Sequence, residues 1–350
     1  MIKRIAENAA YTYVSIYNEV AYFSGLSSDA EESLASQAES ILEQYDYHFA
    51  DLNLHRDHII NAFVMMDTKD DPKVFFDILY RWLPVGAKPA VTAIRADLPG
   101  GNQISLSLYV AVGAGQIDRT ELPNSAGMLV RYNKMVYFSG QSRDKGLTLH
   151  EQTKNVMSDY DRMLVENDLK KENIINGNIF VQNIEMQDEY EQNWINWTYT
   201  GHKPSGTMVE GKPLDPKHQL VLGLTFADSP EVLALERINP GNNCCRFVRY
   251  NKTAYFTGNT CKDPENTKGV YDQTKAIFSK FCEMFNEFGL EKNNIIICNV
   301  FLQNIDDIGM FQKFWNEWTD SNEVPALTVC GTKMLDEKYD LEVAITVADF

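Results

Sequence analysis

The sequence predicts an α+β protein built from three tandem β-β-α-β-α-β-β units on one chain. Three observations predict it. First, a ten-residue stretch is written twice, as Arg131-Tyr132-Asn133-Lys134-Met135-Val136-Tyr137-Phe138-Ser139-Gly140 and as Arg249-Tyr250-Asn251-Lys252-Thr253-Ala254-Tyr255-Phe256-Thr257-Gly258. A looser copy, Tyr17-Asn18-Glu19-Val20-Ala21-Tyr22-Phe23-Ser24-Gly25, precedes both. Second, downstream landmarks keep step: Gln37, Gln152 and Gln273; Trp82, Trp197 and Trp318; Pro89, Pro204 and Pro325, each set spaced by 115 and then 121 residues. Third, within each copy β-rich runs and helical stripes alternate in the same order. The units are read as residues 1–115, 116–233 and 234–350, each long enough to bury a core of its own.

In the first unit, residues 11–16 and 20–24 are rich in β-branched and aromatic side chains and read as strands. Ser28-Asp29 is expected to cap a helix, with Asp29, Glu31 and Glu32 near its positive end. Leu34, Ile41, Leu42, Tyr45 and Phe49 then form one apolar stripe. Residues 59–66 read as a buried strand. Asp70-Asp71-Pro72 opens a second helix with Phe75, Ile78, Leu79 and Trp82 facing inward. After Pro89, residues 90–96 and 104–112 give two closing strands around the Pro99-Gly100-Gly101 turn. The later copies place Tyr190, Asn193, Trp194 and Trp197, and then Phe311, Phe314, Trp315 and Trp318, on the corresponding helix face. Aromatic stripes at this spacing are read as packing. Gly113-Ala114-Gly115 and Asp228-Ser229-Pro230 serve as linkers.

Two helices on one side of a sheet leave the other side bare. Three such sheets on one chain can cover each other around a pseudo-threefold axis, helices outward. The expected assembly is a self-contained pseudo-trimer, acting as a monomeric chain.

The formal charge is −17, from 49 acidic and 32 basic residues, with no basic run to offset it. That field repels phosphate backbones and anionic lipid, so neither nucleic acid nor membrane is an expected partner. No apolar run reaches the roughly 18 residues of a spanning helix, and residues 1–10 lack a signal-peptide core. All six cysteines fall in the third unit without disulfide or zinc spacing, which reads as reduced thiols in a cytoplasmic protein. No metal or cofactor is expected.

With the strand ending in Ser-Gly, the helix carrying Gln, the aromatic second helix and the loop ending in Pro-Ala, each unit resembles the RidA/YjgF (Rid) superfamily end to end. Ser139-Gly140-Gln141 is the family's S-G-Q motif as it stands, while Ser24-Gly25-Leu26 and Thr257-Gly258-Asn259 are variants. The resemblance implies a chorismate-mutase-like (YjgF-like) fold, a homotrimer fused into one polypeptide, and a small-molecule site at each interface. It also implies hydrolysis of reactive 2-imino or enamine acids to 2-keto acids and ammonia.

The family's catalytic residues carry over only in part. An arginine directly after Pro-Ala grips the substrate carboxylate in the family. Here Val91, Gly206 and Leu327 occupy that place. The family's glutamate on the last strand corresponds to Ser105, Val221 and Glu342, so only the third unit keeps it. The pocket tyrosine corresponds to Tyr11, Ala126 and Cys244.

Glu342 is therefore the candidate catalytic base, on the argument that a carboxylate at an apolar interface has a raised pKa. Ser24, Gly25, Ser139, Gly140, Thr257, Gly258 and Tyr11 are the candidate substrate-binding residues, offering hydroxyls and closely approached backbone N–H groups, with the alternative that the glycines simply end a strand. Gln37, Gln152 and Gln273 are read as structural amides. Arg131, Arg246 and Arg249 are the cations to inspect for anion binding, and a Cys244 or Cys245 nucleophile lacks a histidine in its own unit. Two functions remain open: a diverged Rid-type hydrolase of a small carboxylate-bearing metabolite, and a non-catalytic binding or scaffold protein. Chorismatases, which resemble three-unit Rid fusions, offer a further hydrolytic alternative, although no motif here selects chorismate.

Overall fold

The computed structural model describes the chain apart from residues 9–10, 29–31, 114, 124–126, 144–147, 200 and 321–322, and apart from the side chains of 6–8 and 11. Among the described residues, three mixed sheets and six α-helices follow one another along the chain. In the first set, β1 (Lys3–Asn8), β2 (Tyr11–Tyr17) and β3 (Val20–Phe23) precede α1 (Leu34–Leu52), β4 (Ile59–Met66), α2 (Lys73–Trp82), β5 (Ala90–Arg95) and β6 (Ile104–Ala111). The second comprises β7 (Asp118–Glu121), β8 (Met128–Tyr132), β9 (Met135–Phe138), α3 (Leu149–Glu166), β10 (Ile174–Val181), α4 (Gln187–Trp197), β11 (Ser205–Glu210), β12 (Lys212–Pro213) and β13 (Leu220–Ala227). The third comprises β14 (Glu236–Ile238), β15 (Phe247–Tyr250), β16 (Thr253–Phe256), α5 (Val270–Phe288), β17 (Ile295–Leu302), α6 (Ile308–Trp318), β18 (Ala326–Gly331) and β19 (Leu341–Ala348). The sheet orders are β1-β2-β3-β6-β4-β5-β12, β11-β10-β13-β9-β8-β7 and β14-β15-β16-β19-β17-β18. In each, the strand between the two helices pairs in parallel with the strand after them.

Three details depart from the expected unit. Each copy has an additional leading strand, β1, β7 or β14, at a sheet edge. Such short, polar edge strands lack the apolar alternation that reveals a half-buried strand. The second unit also sends Lys212-Pro213 to pair with Arg95 and Ile94 of the first sheet, at an edge where proline's missing N–H costs nothing. The α1 cap differs as well. Ser33 accepts the Ser36 N–H at 3.2 Å, whereas the expected Asp29 and Glu31 lie outside the described residues.

The helix stripes bury as their periodicity predicts. Leu34, Ile41, Leu42, Tyr45 and Phe49 of α1 face the first sheet with Phe75, Ile78 and Leu79 of α2. Asn193 is the exception in α4, where it bonds to His150 and the Glu189 carbonyl while Tyr190, Trp194 and Trp197 pack inward. Gln37, Gln152 and Gln273 are fully buried clamps. Their carbonyl oxygens accept the N–H of Gln103, Gln219 and Asp340 at 2.8–2.9 Å, while their amide nitrogens donate to backbone carbonyls. Each ties its first helix to the entry of its last strand. The ligand-free reading of these amides holds.

Strand alternation divides each sheet into two faces. In β17, Cys298, Val300 and Leu302 pack under α5 and α6, whereas Ile296, Ile297 and Phe301 point the other way. Those second faces meet in shared cores. One joins Tyr22, Ile60, Val130, Tyr137, Val248 and Ile296 from all three sheets, and another joins Met65, Phe180 and Phe301. The contacts repeat in cyclic order. Asn18, Asn133 and Asn251 open the tight hairpins between the paired strands, each in the left-handed conformation at φ 47° or 48°. The Asn18 amide donates to the Asn251 carbonyl, Asn133 to Asn18 and Asn251 to Asn133, at 2.7–2.9 Å. This closed ring is the hydrogen-bond signature of three copies facing one another.

Candidate functional site

The Ser/Thr-Gly pairs lie where each unit meets the next. Gly25 N–H donates to the Leu327 carbonyl at 3.0 Å, Gly140 to Val91 at 2.9 Å and Gly258 to Gly206 at 3.1 Å. In return, Ser24 Oγ accepts the Leu327 N–H at 2.8 Å, Ser139 Oγ that of Val91 at 3.0 Å, and Thr257 Oγ1 that of Gly206 at 3.1 Å. The expected hydroxyls and amides are therefore spent on stitching the seams. The positions without the family arginine, Val91, Gly206 and Leu327, are the other half of each stitch. Tyr11 lies in β2, and its side chain is outside the described residues.

What stands over each glycine distinguishes the seams. A Cβ on Gly140 would lie 2.6 Å from Val221, so that seam is filled by an aliphatic side chain. On Gly25 the nearest atom is Ser105 Oγ at 2.9 Å. On Gly258 it is Glu342 Oε1 at 1.8 Å, with Thr207 Oγ1 at 3.0 Å. Glycine at 258 is what lets the Glu342 carboxyl rest against the backbone of its own sheet, facing β11 of the second unit.

Glu342 is 9 % exposed, and among the described residues neither a hydrogen bond nor an ion pair reaches its carboxyl. Burial alone raises its pKa to about 8. At pH 7 it is consequently a neutral acid in most molecules. Thr207, 3 % exposed with an unpartnered Oγ1, stands beside it. Both polar atoms lie within 3.0 Å of one point above Gly258, a separation that one bridging water can span. Thr207 also borders a polar chamber of about 90 Å³ shared by the three sheets, lined by Asn61, Asn178, Asn299, the half-buried Tyr109 and the buried Tyr137.

Sequence reasoning missed Thr207, although the signal was present. The third residue after each landmark proline is threonine in every copy: Thr92, Thr207 and Thr328. Around the same seam, burial keeps both neighbouring thiols protonated, raising the Cys244 pKa and pushing that of Cys245 up to about 12. Cys245 donates to the Phe247 carbonyl, and its own carbonyl accepts the Thr257 hydroxyl, so burial and not a charged partner governs these thiols. Of the three arginines, Arg131 is held by Asp228 and the Asn167 carbonyl, and Arg249 by Glu236, Asp349 and the Phe288 carbonyl. Among the described residues, Arg246 has one ion-pair partner, the exposed Glu287 at 3.8 Å. Near it, the Lys280 pKa is lowered by burial and by Arg246 and Lys262, which makes a small cationic cluster on the third unit.

Comparison with known proteins adds the family. The model of the endoribonuclease L-PSP family matches residues 123–221 and 235–349. A RutC family protein of Haemophilus influenzae is 27 % identical over 115 residues, which is 32 % of this chain and 97 % of that protein. RutC family protein YoaB of Escherichia coli is 23 % identical over 99 residues, covering 28 % of this chain and 87 % of that protein. The crystal structure of a chorismatase aligns over 83 % of this chain and 93 % of that one, with a TM-score of 0.59 at 8 % identity, a likeness of fold. Among the described residues no helix is long and apolar enough to cross a membrane.

Proposed function

The chain belongs to the endoribonuclease L-PSP family of the Rid superfamily, and from that premise we propose that it hydrolyses a small carboxylate-bearing imine or enamine acid in the seam between its second and third units. The observation that carries this reading is a buried carboxyl with a pKa of about 8, facing an unpartnered threonine hydroxyl across that seam. A protonated imine entering there is a cation. Its charge lowers the Glu342 pKa and produces the carboxylate where it is used.

Water held between Glu342 and Thr207 then adds to the imine carbon. The new C–O bond forms as the C=N pair moves to nitrogen, and the water proton passes to Glu342. In collapse of the carbinolamine Glu342 gives its proton to the amino nitrogen and then takes the hydroxyl proton as the C–N bond breaks, which leaves the keto acid, ammonia and a neutral Glu342. The cations Arg246, Lys262 and Lys280 stand in for the missing arginine as partners of the substrate carboxylate, more loosely because only Arg246 offers a planar fork.

The test is ammonia release from freshly generated 2-imino acids. Glu342→Ala should fall to the background rate, and Arg246→Ala should raise KM with a smaller change in kcat. Equal rates for wild type and Glu342→Ala would remove the hydrolase. A second reading, a binding protein without turnover, is favoured by the absence of all three arginines at Val91, Gly206 and Leu327. Under that reading 2-keto acids raise the melting temperature while no ammonia appears. The chorismatase alternative rests on fold alone, and chorismate turnover by the purified chain tests it. A net charge of −17 argues against a ribonuclease despite the family's label.

A further inference from the structure

The seam between the first and third units contains a cavity of about 450 Å³, within the range of small-molecule sites. Its polar lining is Tyr13, Ser27, Gln44, Asn102, Ser105 and Gln312, and its walls are aliphatic, among them Leu26, Leu98 and Ile308. Among the described residues no charged side chain lines it.

That neutrality is positional. Tyr13 precedes the Val14↔Phe23 pair as Arg246 precedes Phe247↔Phe256. Ser105 faces Met65 across the ladder as Glu342 faces Phe301. Gln44 follows its clamp glutamine at the distance that Lys280 follows Gln273, and Gln312 precedes its tryptophan at the distance that Glu191 precedes Trp197. Four places that are charged around one seam are thus uncharged around the other. In the remaining seam the same four places hold Met128, Asp159, Val221 and Phe76.

Ser105 is 7 % exposed and lines the cavity, and its hydroxyl makes no hydrogen bond among the described residues. Asn102 Oδ1 and Thr328 Oγ1 beside it are also buried without partners. Unsatisfied polar groups in a protein interior cost free energy that a matching ligand recovers. A ligand carboxylate or ammonium would find no counter-charge here, and burying it unpaired is costly. The geometry points to a second ligand site in this seam, selective for an uncharged molecule that presents hydrogen-bond donors and acceptors side by side, as the edge of an amide, lactam or urea does. This assignment is independent of any chemistry at Glu342.

The experiment uses the full chain and two probes of one shape, 2-pyrrolidone and its carboxylated counterpart pyroglutamate, followed by saturation-transfer NMR and titration. Pyrrolidone should bind saturably and pyroglutamate at least about tenfold more weakly, one unmatched charge being worth at least that factor. Glu342→Gln should leave pyrrolidone binding unchanged. Ser105→Val, which installs the residue the second unit already carries at that place, should weaken it by about tenfold. Gln312→Ala, at the exposed rim, gives a second variant that leaves the core untouched, and several-fold weakening is expected. Absence of saturable pyrrolidone binding overturns the assignment. So does equal or tighter binding of pyroglutamate, or loss of pyrrolidone binding in Glu342→Gln with Ser105→Val unaffected.

Discussion

Replacing Glu342 by glutamine should make the protein more stable, and by an amount that depends on pH. The folded chain raises the Glu342 pKa from 4.5 to about 8 through burial. Between those values the native state therefore holds a proton that the unfolded state has released. Stability from this group is fully present below pH 4.5 and falls as pH rises through about 8. Each pKa unit is worth about 1.4 kcal/mol. The wild type accordingly gives up about 3 kcal/mol at pH 7 and about 5 kcal/mol above pH 9. Glutamine has the shape of the neutral acid and no charge to desolvate, so Glu342→Gln should escape the loss. Urea unfolding of the two proteins at pH 4.5, 7 and 9 measures the difference directly. Near-equal stability at pH 4.5 with a growing advantage for the variant is expected. A constant difference across the three pH values, or a variant that becomes relatively weaker as pH rises, would refute the claim that Glu342 is buried without a compensating partner.

The same packing makes further outcomes testable. Gly258→Ala places a methyl 1.8 Å from Glu342 Oε1, so the carboxyl must move; its titration midpoint, followed by carbon NMR of the carboxyl, should shift, and Gly258→Ala should cost less stability in an Glu342→Ala background than alone. Gln152→Ala leaves the Gln219 N–H and the Lys217 carbonyl without their clamp and should cost about 2 kcal/mol in urea unfolding, with little effect on ligand binding. Residues 116–233 expressed alone would expose Val130, Tyr137 and Phe180, which the other two sheets cover in the full chain; sedimentation should show association, and a soluble monomer would contradict the shared core.

Much of the fold was legible because it rests on local periodicity. The strand at 59–66, the α1 stripe from Leu34 to Phe49 and the aromatic face of α6 each declare their buried side within one turn or one pleat. The clamp glutamines were legible as structural because one amide can satisfy both a donor and an acceptor inside a core. The leading edge strands and the Lys212-Pro213 strap were not, since strands at an edge bury too little to pattern their sequence. At the site, Glu342 was visible through the family resemblance, which marks its place on the last strand. The role of the Ser/Thr-Gly pairs was not, because a hydroxyl that stitches two units together and one that meets a ligand look alike in sequence. Thr207 repeated in step with its counterparts, but a repeated threonine in a strand has no meaning until its partners, or their absence, are known.

The order of residues by itself determined the tripling and the helix and strand faces, since these follow from spacing along one dimension, while the divergence at the arginine and glutamate positions followed from the family resemblance. Tertiary structure alone decided which copy stands against which. It gave Glu342 an apolar enclosure that moves its pKa to about 8, left Thr207 unpartnered beside it, and made one seam charged, one neutral and one filled. Those properties depend on distance and solvent exclusion between residues more than a hundred positions apart, and charge in a protein is governed by what surrounds it in space.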